Sequence, residues 1–435
     1  MKKKHKEIIS NMKFNAIKKA AALMLACCMT ASALAGCGGS GSTSGSETTA
    51  AATTAADVQT QASTEAASSA STEAASAEST AAGPDLSSAP EIPGLTCQSI
   101  MDLVYAECFN VYFYNDDYAL IDIKDEGQFL LVPAGASVPE GLSKDITVIQ
   151  KDIKNIYLAA TASMALFSSM NALDVVTMTS LNENGWSFDE PKKLLASGAM
   201  SYAGKYSEPD YEMLLGNGCD LVIESTMIYH TPEVLEMIQD LGMPVIIDRS
   251  SYESNPLGRT EWIKLYSVIV DHQEDAETFF NTQLTTLKEL EDFPNTEKTV
   301  AFFYFTTDGK VVVRSSSDYV PSMIEMGGGR YIFKGVTDSS GSVSVGLTLE
   351  KFYDMAKEAD YIVYNGSIDS AVKNLDSLIA KSDLLKEFKA YKDGNCWLST
   401  GAMYQRTDLA ADMIMDFHKL VTDDTGDMHF LKKLE

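Results

Sequence analysis

The sequence predicts an α/β protein built from two lobes that are joined by one long helix. The first observation is an alternation of apolar strand patterns and amphipathic helix patterns between residues 155 and 248. The second is a helical pattern from 274 to 292 that stops before Pro294, a residue that cannot continue a helix. The third is that the alternation restarts at Thr299. Strands that alternate with helices at this spacing indicate parallel sheets with helices on their faces.

Residues 1–36 have the pattern of an export leader. A lysine-rich start precedes an apolar run from Ala20 to Ala35, which is too short for a comfortable transmembrane span. The run ends in Leu34-Ala-Gly-Cys37, which resembles the lipobox of bacterial lipoproteins and implies that Cys37 receives the lipid. The alternative is cleavage after Ala33 by the ordinary signal peptidase. We therefore expect a protein anchored by lipid in the cell membrane and facing outside the cytoplasm.

Residues 37–93 form a low-complexity segment that is expected to be a disordered, lipid-anchored linker. It consists mainly of Ser, Thr, Ala, Gly and Glu, and it contains no aromatic residue, Lys or Arg. The hexapeptide Ser-Thr-Glu-Ala-Ala-Ser occurs at 63–68 and again at 71–76. Such a segment buries too little apolar surface to offset the entropy lost on ordering.

Charge and cysteine spacing exclude several classes of protein. The formal net charge is -27, and the leader carries seven lysines and one glutamate, so the chain without its leader stands at -33. A surface of this charge repels nucleic acid and anionic membranes, and neither is expected as a partner of the folded part. The cysteines beyond the leader lack the C-x-x-C spacing of a zinc ribbon or redox pair. A Cys97–Cys108 disulfide and buried free thiols both remain open.

The first lobe is expected over residues 94–273. It begins with three alternating strand patterns that predict an antiparallel meander, at 110–114, 118–123 and 129–133. Buried strands separated by helical patterns follow at 155–160, 174–178, 220–223 and 244–248.

The connecting helix is expected over residues 274–293 and the second lobe over 294–435. The strand patterns of the second lobe lie at 299–305, 310–314, 361–364 and 396–399. In open parallel sheets, ligands bind beyond the carboxyl ends of the strands. Two such sheets joined by a stiff helix are expected to present those ends to one shared cleft.

Several segments resemble one family over residues 100 to 420. The family is the iron-siderophore, haem and cobalamin substrate-binding proteins of ABC importers. The resemblance implies two Rossmann-like lobes joined by a single long interlobe helix, the architecture of a class III substrate-binding protein, with little hinge motion. The segments that carry it are 155–180, Gly204-Lys-Tyr-Ser-Glu-Pro-Asp-Tyr-Glu212 through Asp220-Leu-Val-Ile-Glu-Ser225, Leu241-Gly-Met-Pro-Val-Ile246, Asn255-Pro-Leu-Gly-Arg-Thr-Glu-Trp-Ile263 and Ile324-Glu-Met-Gly-Gly-Gly-Arg-Tyr-Ile-Phe333.

The resemblance also implies the partners, which are an ABC permease and its ATPase subunits. Family members carry one surface glutamate in each lobe that docks onto arginines of the permease, and these match Glu212 and Glu350. One carboxylate per lobe is enough to set the register on the transporter. The alternative for each is a solvated acid at a helix start, where the helix dipole favours negative charge.

Candidate ligand contacts are the polar and aromatic side chains near the predicted strand ends. The chain has only five arginines, and a guanidinium group suits carboxylate, phosphate and catecholate oxygens. Aromatic rings stack on flat ligand faces. Arg259 has an alternative role as a structural brace between the lobes. The aromatic residues have an alternative role as side chains of the hydrophobic core. The full set is Trp186, Tyr202, Glu224, Ser225, Thr226, Arg259, Arg314, Tyr319, Tyr404 and Arg406.

The functional hypothesis is an extracytoplasmic solute-binding lipoprotein. It captures an iron-siderophore, haem or cobalamin-type ligand between its lobes and delivers it to an ABC permease. It is expected to be monomeric and not an enzyme, with no cofactor or metal site of its own, although the ligand can itself contain iron or cobalt. The folded part lacks the H-E-x-x-H and G-x-S-x-G motifs. The alternatives are an extracytoplasmic hydrolase on an α/β scaffold and a tethered protein-interaction module.

Overall fold

A computed structural model describes residues 86–338, 342–424 and 426–435. The predicted leader, the lipidation site Cys37 and the linker as far as residue 85 lie outside the described residues. Within the predicted linker, Ile92 is buried in a cluster with the first sheet. The carbonyl of Pro90 also accepts a hydrogen bond from the Tyr114 hydroxyl, at 2.5 Å. Ala89 and Leu95 pack against the same cluster, so this part of the chain is held by several contacts.

The first sheet confirms the predicted meander and adds a strand at each end. Strands β1 to β4 are antiparallel, and β5 runs parallel to β4. Their alternation sends Val111 and Ile121 into one core and Tyr112 and Leu120 into another. The strands follow each other in chain order across the sheet as β1 (Cys97–Ile100), β2 (Phe109–Tyr114), β3 (Ala119–Ile123), β4 (Gly127–Val132) and β5 (Ile146–Gln150).

The second sheet is parallel throughout and forms the centre of the first α/β lobe. Its strands are β6 (Ile156–Leu158), β7 (Met178–Thr179), β8 (Ser201–Tyr202), β11 (Leu221–Ser225) and β12 (Val245–Asp248). They lie side by side in the order β12-β11-β6-β7-β8. A separate two-stranded hairpin pairs β9 (Gly204–Lys205) with β10 (Glu208–Pro209). The helices of this lobe are α1 (Met164–Ser169), α2 (Asp189–Ser197), α3 (Tyr211–Gly216) and α4 (Pro232–Asp240).

Two helices connect the lobes. α6 (Gln273–Leu287) is the predicted interlobe helix, since Phe280 packs in the core of the first lobe and Leu287 in that of the second. α5 (Pro256–Val270) lies beside it and also contributes to both cores, through Trp262 and Leu257. Every residue of α5 except the last is buried. Such a helix has no amphipathic period, which is why the sequence pattern missed it.

The third sheet forms the second lobe and is mixed. Its strands are β13 (Thr299–Phe305), β14 (Val311–Arg314), β15 (Arg330–Tyr331), β16 (Ser344–Leu347), β17 (Tyr361–Asn365), β18 (Cys396–Ser399) and β19 (Leu431–Lys433). The main order is β16-β14-β13-β17-β18-β19, and β15 also pairs with β13. The strands β13, β15, β17 and β18 are parallel, whereas β14 runs antiparallel to β13.

The helices of the second lobe cover this sheet. They are α7 (Tyr319–Met326), α8 (Leu349–Ala356), α9 (Leu375–Ile379), α10 (Lys389–Lys392) and α11 (Ala410–Thr422). In the part of the chain that the structure describes, no helix has both the length and the apolar character that crossing a membrane requires.

Candidate ligand-binding site

The loops at the carboxyl ends of the strands in the two lobes meet. Gln405, which follows β18, accepts a hydrogen bond at its side-chain Oε1 from the backbone N–H of Ser187, at 2.7 Å. The same side chain donates from Nε2 to the carbonyl of Gly185, at 2.9 Å. Both partners lie in the loop after β7 of the first lobe. The strand tips of the two lobes therefore face each other, as the predicted cleft requires.

A second contact between the lobes involves Arg406. Its guanidinium lies 5.1 Å from the centre of the Phe188 ring and donates two hydrogen bonds to Asp408, at 2.8 and 2.7 Å. Asp408 also accepts a hydrogen bond from the Ser169 hydroxyl of the first lobe, at 3.3 Å. Arg406, a predicted ligand contact, is therefore used by the protein itself to join the lobes.

A pocket of about 440 Å³ opens at the carboxyl ends of the strands in the first lobe. It lies beyond β6, β7, β8 and β11 of the parallel sheet, where ligands of open α/β sheets bind. Lys205 is the one charged residue among those that line the pocket, and the other lining residues are uncharged. The lining residues are Ala159, Thr161, Ser180, Leu181, Asn182, Gly185, Tyr202, Lys205, Tyr206, Ser225 and Met227. Because Gly185 is bound by Gln405, the second lobe borders this pocket.

Two of the predicted ligand contacts line this pocket. Tyr202, at the end of β8, leaves 41% of its surface exposed, so its ring is available to a ligand. Ser225, at the end of β11, also lines the pocket, and its hydroxyl accepts from the backbone N–H of Met227 at 3.4 Å. Thr226 follows Ser225 but is half-buried and does not line the pocket.

Glu224 lies one residue before Ser225 and is fully buried. Neither of its carboxyl oxygens has a hydrogen-bond partner among the described residues. Burial disfavours the charged form and raises the pKa of Glu224 to about 9, while the nearby backbone N–H of Ser225 lowers it by a smaller amount without reaching hydrogen-bond geometry. This shift favours the protonated, uncharged form of the side chain at neutral pH.

The β9–β10 hairpin carries pocket residues that the sequence analysis missed. Its first residue, Gly204, has a φ of +87°, and a Cβ atom there would lie 2.4 Å from the carbonyl oxygen of Glu208. Only glycine allows this close approach, which brings Lys205 and Tyr206 to the pocket. Gly204, in the family-like segment 204–212, was the sequence feature that could have indicated a tight hairpin here.

Trp186 does not line the pocket, contrary to the prediction. Its side chain is only 3% exposed and packs edge-on against Phe188, with the ring centres 5.8 Å apart. It belongs to the core of the first lobe. The sequence placed it near a strand end, but burial of a large apolar ring decided its orientation.

Arg259 and Tyr319 contact each other inside the protein rather than in the pocket. The Arg259 guanidinium lies 3.9 Å from the centre of the Tyr319 ring, and both side chains are buried. Arg259 also donates to the hydroxyl of Thr407, at 3.4 Å. Arg259 lies on α5 and Thr407 lies in the second lobe. The arginine therefore acts as a structural brace, which was the alternative to ligand contact.

Arg314 and Tyr404 are also engaged within the second lobe. Arg314 donates two hydrogen bonds to the Asp318 carboxylate, at 3.0 and 2.5 Å, and a third to the Ser344 hydroxyl, at 2.9 Å. β14 is antiparallel, so its carboxyl end points away from those of β13 and β17, and the strand end on which the prediction was based does not face the cleft. Contact of Arg314 with a ligand stays a prediction. Tyr404 accepts from the Asn365 side-chain amide, at 2.8 Å, near the tips of β17 and β18.

The two predicted docking residues occupy equivalent places in the lobes. Glu212 is the second residue of α3, which leads into β11, and Glu350 is the second residue of α8, which leads into β17. Both are exposed. Each helix is capped at its start, by Asp210 through the N–H of Met213 and by Thr348 through that of Lys351.

Solved structures identify the fold. The periplasmic haem-binding protein HutB of Vibrio cholerae is 16% identical, with a TM-score of 0.50, over 63% of this chain and 100% of that protein. A periplasmic haem-binding protein of Pseudomonas aeruginosa is 13% identical, with a TM-score of 0.50, over 65% of this chain and 98% of that protein. The described part of the chain therefore has the fold of periplasmic substrate-binding proteins, which confirms the predicted fold class.

One curated relative is more similar in sequence. A Methanocaldococcus jannaschii protein described as an uncharacterized lipoprotein is 25% identical over 340 residues, which are 72% of this chain and 80% of that protein. No family model matches the chain.

Proposed function

We propose that this protein is an extracytoplasmic solute-binding lipoprotein of an ABC importer. It captures an iron-siderophore, haem or cobalamin-type ligand between its lobes, delivers it to a permease and performs no chemistry itself. The observation that carries the proposal is the pocket beyond the parallel strands of the first lobe, bordered by the Gln405 loop of the second. The names of the two solved haem-binding proteins support the ligand class, and the name of the lipoprotein relative supports the anchor.

The pocket suits a ligand with an apolar face and oxygen atoms. Tyr202, Tyr206 and Met227 offer aromatic and thioether surface, on which flat or apolar metal chelates can pack. Hydroxyl and amide groups from Thr161, Ser180 and Asn182 provide the few polar contacts that fix the orientation of a ligand.

The connection between the lobes favours capture with little motion. Two packed helices of fifteen residues each, α5 and α6, pass between the cores. A helical pair resists bending more than a loop does, so the lobes are expected to adjust by small shifts. The energy for import then comes from ATP hydrolysis by the ATPase subunits of the importer.

In this proposal the docking acids couple the monomer to its permease. Glu212 and Glu350 stand on matching helices of the two lobes, so arginines of a permease can hold one lobe each. The lipid on Cys37 and the linker 37–93 keep the folded part near the membrane without fixing its orientation.

A thermal-shift titration of the protein tests the proposal, with ferrioxamine B, haemin and cyanocobalamin as probes. A ligand at a hundred times its Kd stabilises the folded state by about 2.7 kcal/mol, which is a readily measured rise in Tm. We expect one probe class to give a saturable shift. No shift with any of the three probes, or turnover of ester or phosphoester substrates, contradicts the proposal.

A further inference from the structure

The pocket beyond the first-lobe strands carries a positive charge and no negative one. Lys205 is among its described lining residues, and no Asp or Glu is. The whole chain has 61 acidic and 34 basic residues, so a pocket with a cation and no acid runs against its composition. The Lys205 side chain is exposed, so a ligand that enters the pocket can reach it.

Lys205 differs from the arginines at other strand ends, because the protein pairs those arginines with its own carboxylates. The pairs are Arg249–Glu126, Arg314–Asp318 and Arg406–Asp408. Among the described residues, no carboxylate oxygen lies within 4.0 Å of the Lys205 ammonium. Glu208, which is in register with Lys205 across the β9–β10 hairpin, is itself exposed and does not pair with it. The ammonium group is therefore available to a ligand.

The backbone that leads to Lys205 is fixed to the parallel sheet. The carbonyl of Gly204 accepts a hydrogen bond from the hydroxyl of Tyr157, a buried residue of β6, at 3.1 Å. The N–H of Ala203 donates to the carbonyl of Thr179 at the end of β7, at 3.0 Å. Only the lysine side chain has to be ordered when a ligand binds, which keeps the entropic cost of the contact small.

We infer that the ligand carries an anionic oxygen, in a carboxylate or a phosphate group, and that Lys205 binds this oxygen in the pocket. This inference rests on the proposed function. Tyr202 and Tyr206 supply aromatic surface in the same pocket, so the chemical class selected is an apolar body that bears an acidic group. A cationic ligand is disfavoured, because it would bring a second positive charge close to the ammonium.

Calorimetric titration of the wild type, Lys205→Gln and Lys205→Arg tests the inference with three probes. Haemin carries carboxylates, cyanocobalamin carries a phosphodiester, and ferrioxamine B carries an ammonium group and no acidic group. We expect haemin or cyanocobalamin to bind and ferrioxamine B not to bind. For the probe that binds, Lys205→Gln is expected to raise the Kd by about fivefold, the upper range for an ion pair in contact with solvent. Lys205→Arg keeps the charge and is expected to stay within about twofold of wild type.

Two controls isolate the charge in the pocket. Lys193→Gln removes the same charge from an exposed position on α2 that does not line the pocket, and it is expected to leave the Kd unchanged. If haemin is the probe that binds, its dimethyl ester keeps the ring but lacks the carboxylates, so it is expected to bind the wild type and Lys205→Gln equally.

Two results overturn the inference and leave the proposed function standing. One is a Kd for Lys205→Gln equal to that of Lys193→Gln, and the other is binding of ferrioxamine B alone. If no probe binds the wild-type protein, the proposed function fails and the inference fails with it.

Discussion

Two buried carboxyl groups differ in their partners, and the difference sets their charge. Asp318 accepts two hydrogen bonds from the Arg314 guanidinium and one from the N–H of Val320, so its negative charge is compensated. Glu224 has no partner among the described residues, and burial raises its pKa to about 9. Asp318 braces the start of α7 in the second lobe, whereas Glu224 is a raised-pKa acid that precedes the pocket residue Ser225 in the first lobe.

Replacing Glu224 by Gln is expected to stabilise the protein more at high pH than at low pH. In the unfolded chain the carboxyl ionises near 4.5, whereas in the folded protein it stays protonated up to about 9. The unfolded state therefore binds fewer protons between these values, and the stability of the wild type falls as pH rises by up to about 1.4 kcal/mol per unit.

Thermal unfolding of both proteins between pH 5 and 9 measures this difference. Glu236→Gln, on the exposed side of α4, is the matched control and is expected to show no widening gap. A constant difference in Tm between wild type and Glu224→Gln across this range would mean that Glu224 is ionised when folded.

Replacing Asp318 by Asn is expected to destabilise the protein by about 3–5 kcal/mol, because it leaves the Arg314 charge buried without its partner. Asparagine can still cap α7 in the way that Asp318 does, so the loss reports the charge. Glu297→Gln breaks the exposed pair with Arg330 and is expected to change stability by less than about 1 kcal/mol. If Asp318→Asn and Glu297→Gln lose equal free energy of unfolding in urea, the structural role of Arg314 is refuted.

At the scale of elements, the sequence predicts most strands but not their direction. Apolar runs such as Leu221–Ser225 and Thr299–Phe305 are buried on both faces, and their composition alone marks them as central strands. The run at 311–314 has the same composition but turns back antiparallel, and no residue pattern distinguishes the two directions. The two-residue strands of the β9–β10 hairpin are too short to have a period.

The hairpin offers a steric test of the pocket wall. Gly204→Ala is expected to destabilise the protein by about 1–3 kcal/mol more than Gly218→Ala. Both glycines have positive φ, at +87° and +66°, but only a Cβ atom at residue 204 would clash with neighbouring backbone. The difference between the two variants in urea unfolding isolates the clash, and equal effects would mean that the hairpin opens freely.

At the scale of the whole molecule, two lobes and a connecting helix follow from the order of sequence patterns, but the contacts within the cleft do not. Gln405 and Ser187 are 218 residues apart and carry no signal of their pairing. Arg406 and Arg314 looked available, although their carboxylate partners are close in sequence, with Asp408 two residues after Arg406 and Asp318 four residues after Arg314. A contact between distant loops, such as that of Gln405 with Ser187, depends on how those loops fold, which local pattern does not determine.

Replacing both Glu212 and Glu350 by Ala is expected to abolish uptake while leaving ligand affinity within about twofold of wild type, because both lie outside the pocket. Uptake of labelled ligand by cells and equilibrium binding by the purified protein measure the two quantities. Glu236→Ala with Glu358→Ala, two exposed acids elsewhere on the lobes, is the matched control. Lost affinity, or uptake equal to the control, would remove the docking role.

The most direct test is to fill the pocket at the strand tips. Ser225→Trp places an indole ring in the space beyond β11, whereas Ser197→Trp adds the same ring to an exposed position on α2. Calorimetric titration with the probe that binds wild type is expected to give one site in wild type and in Ser197→Trp, and none in Ser225→Trp. Unchanged binding by a folded Ser225→Trp protein would contradict capture of the ligand between the lobes.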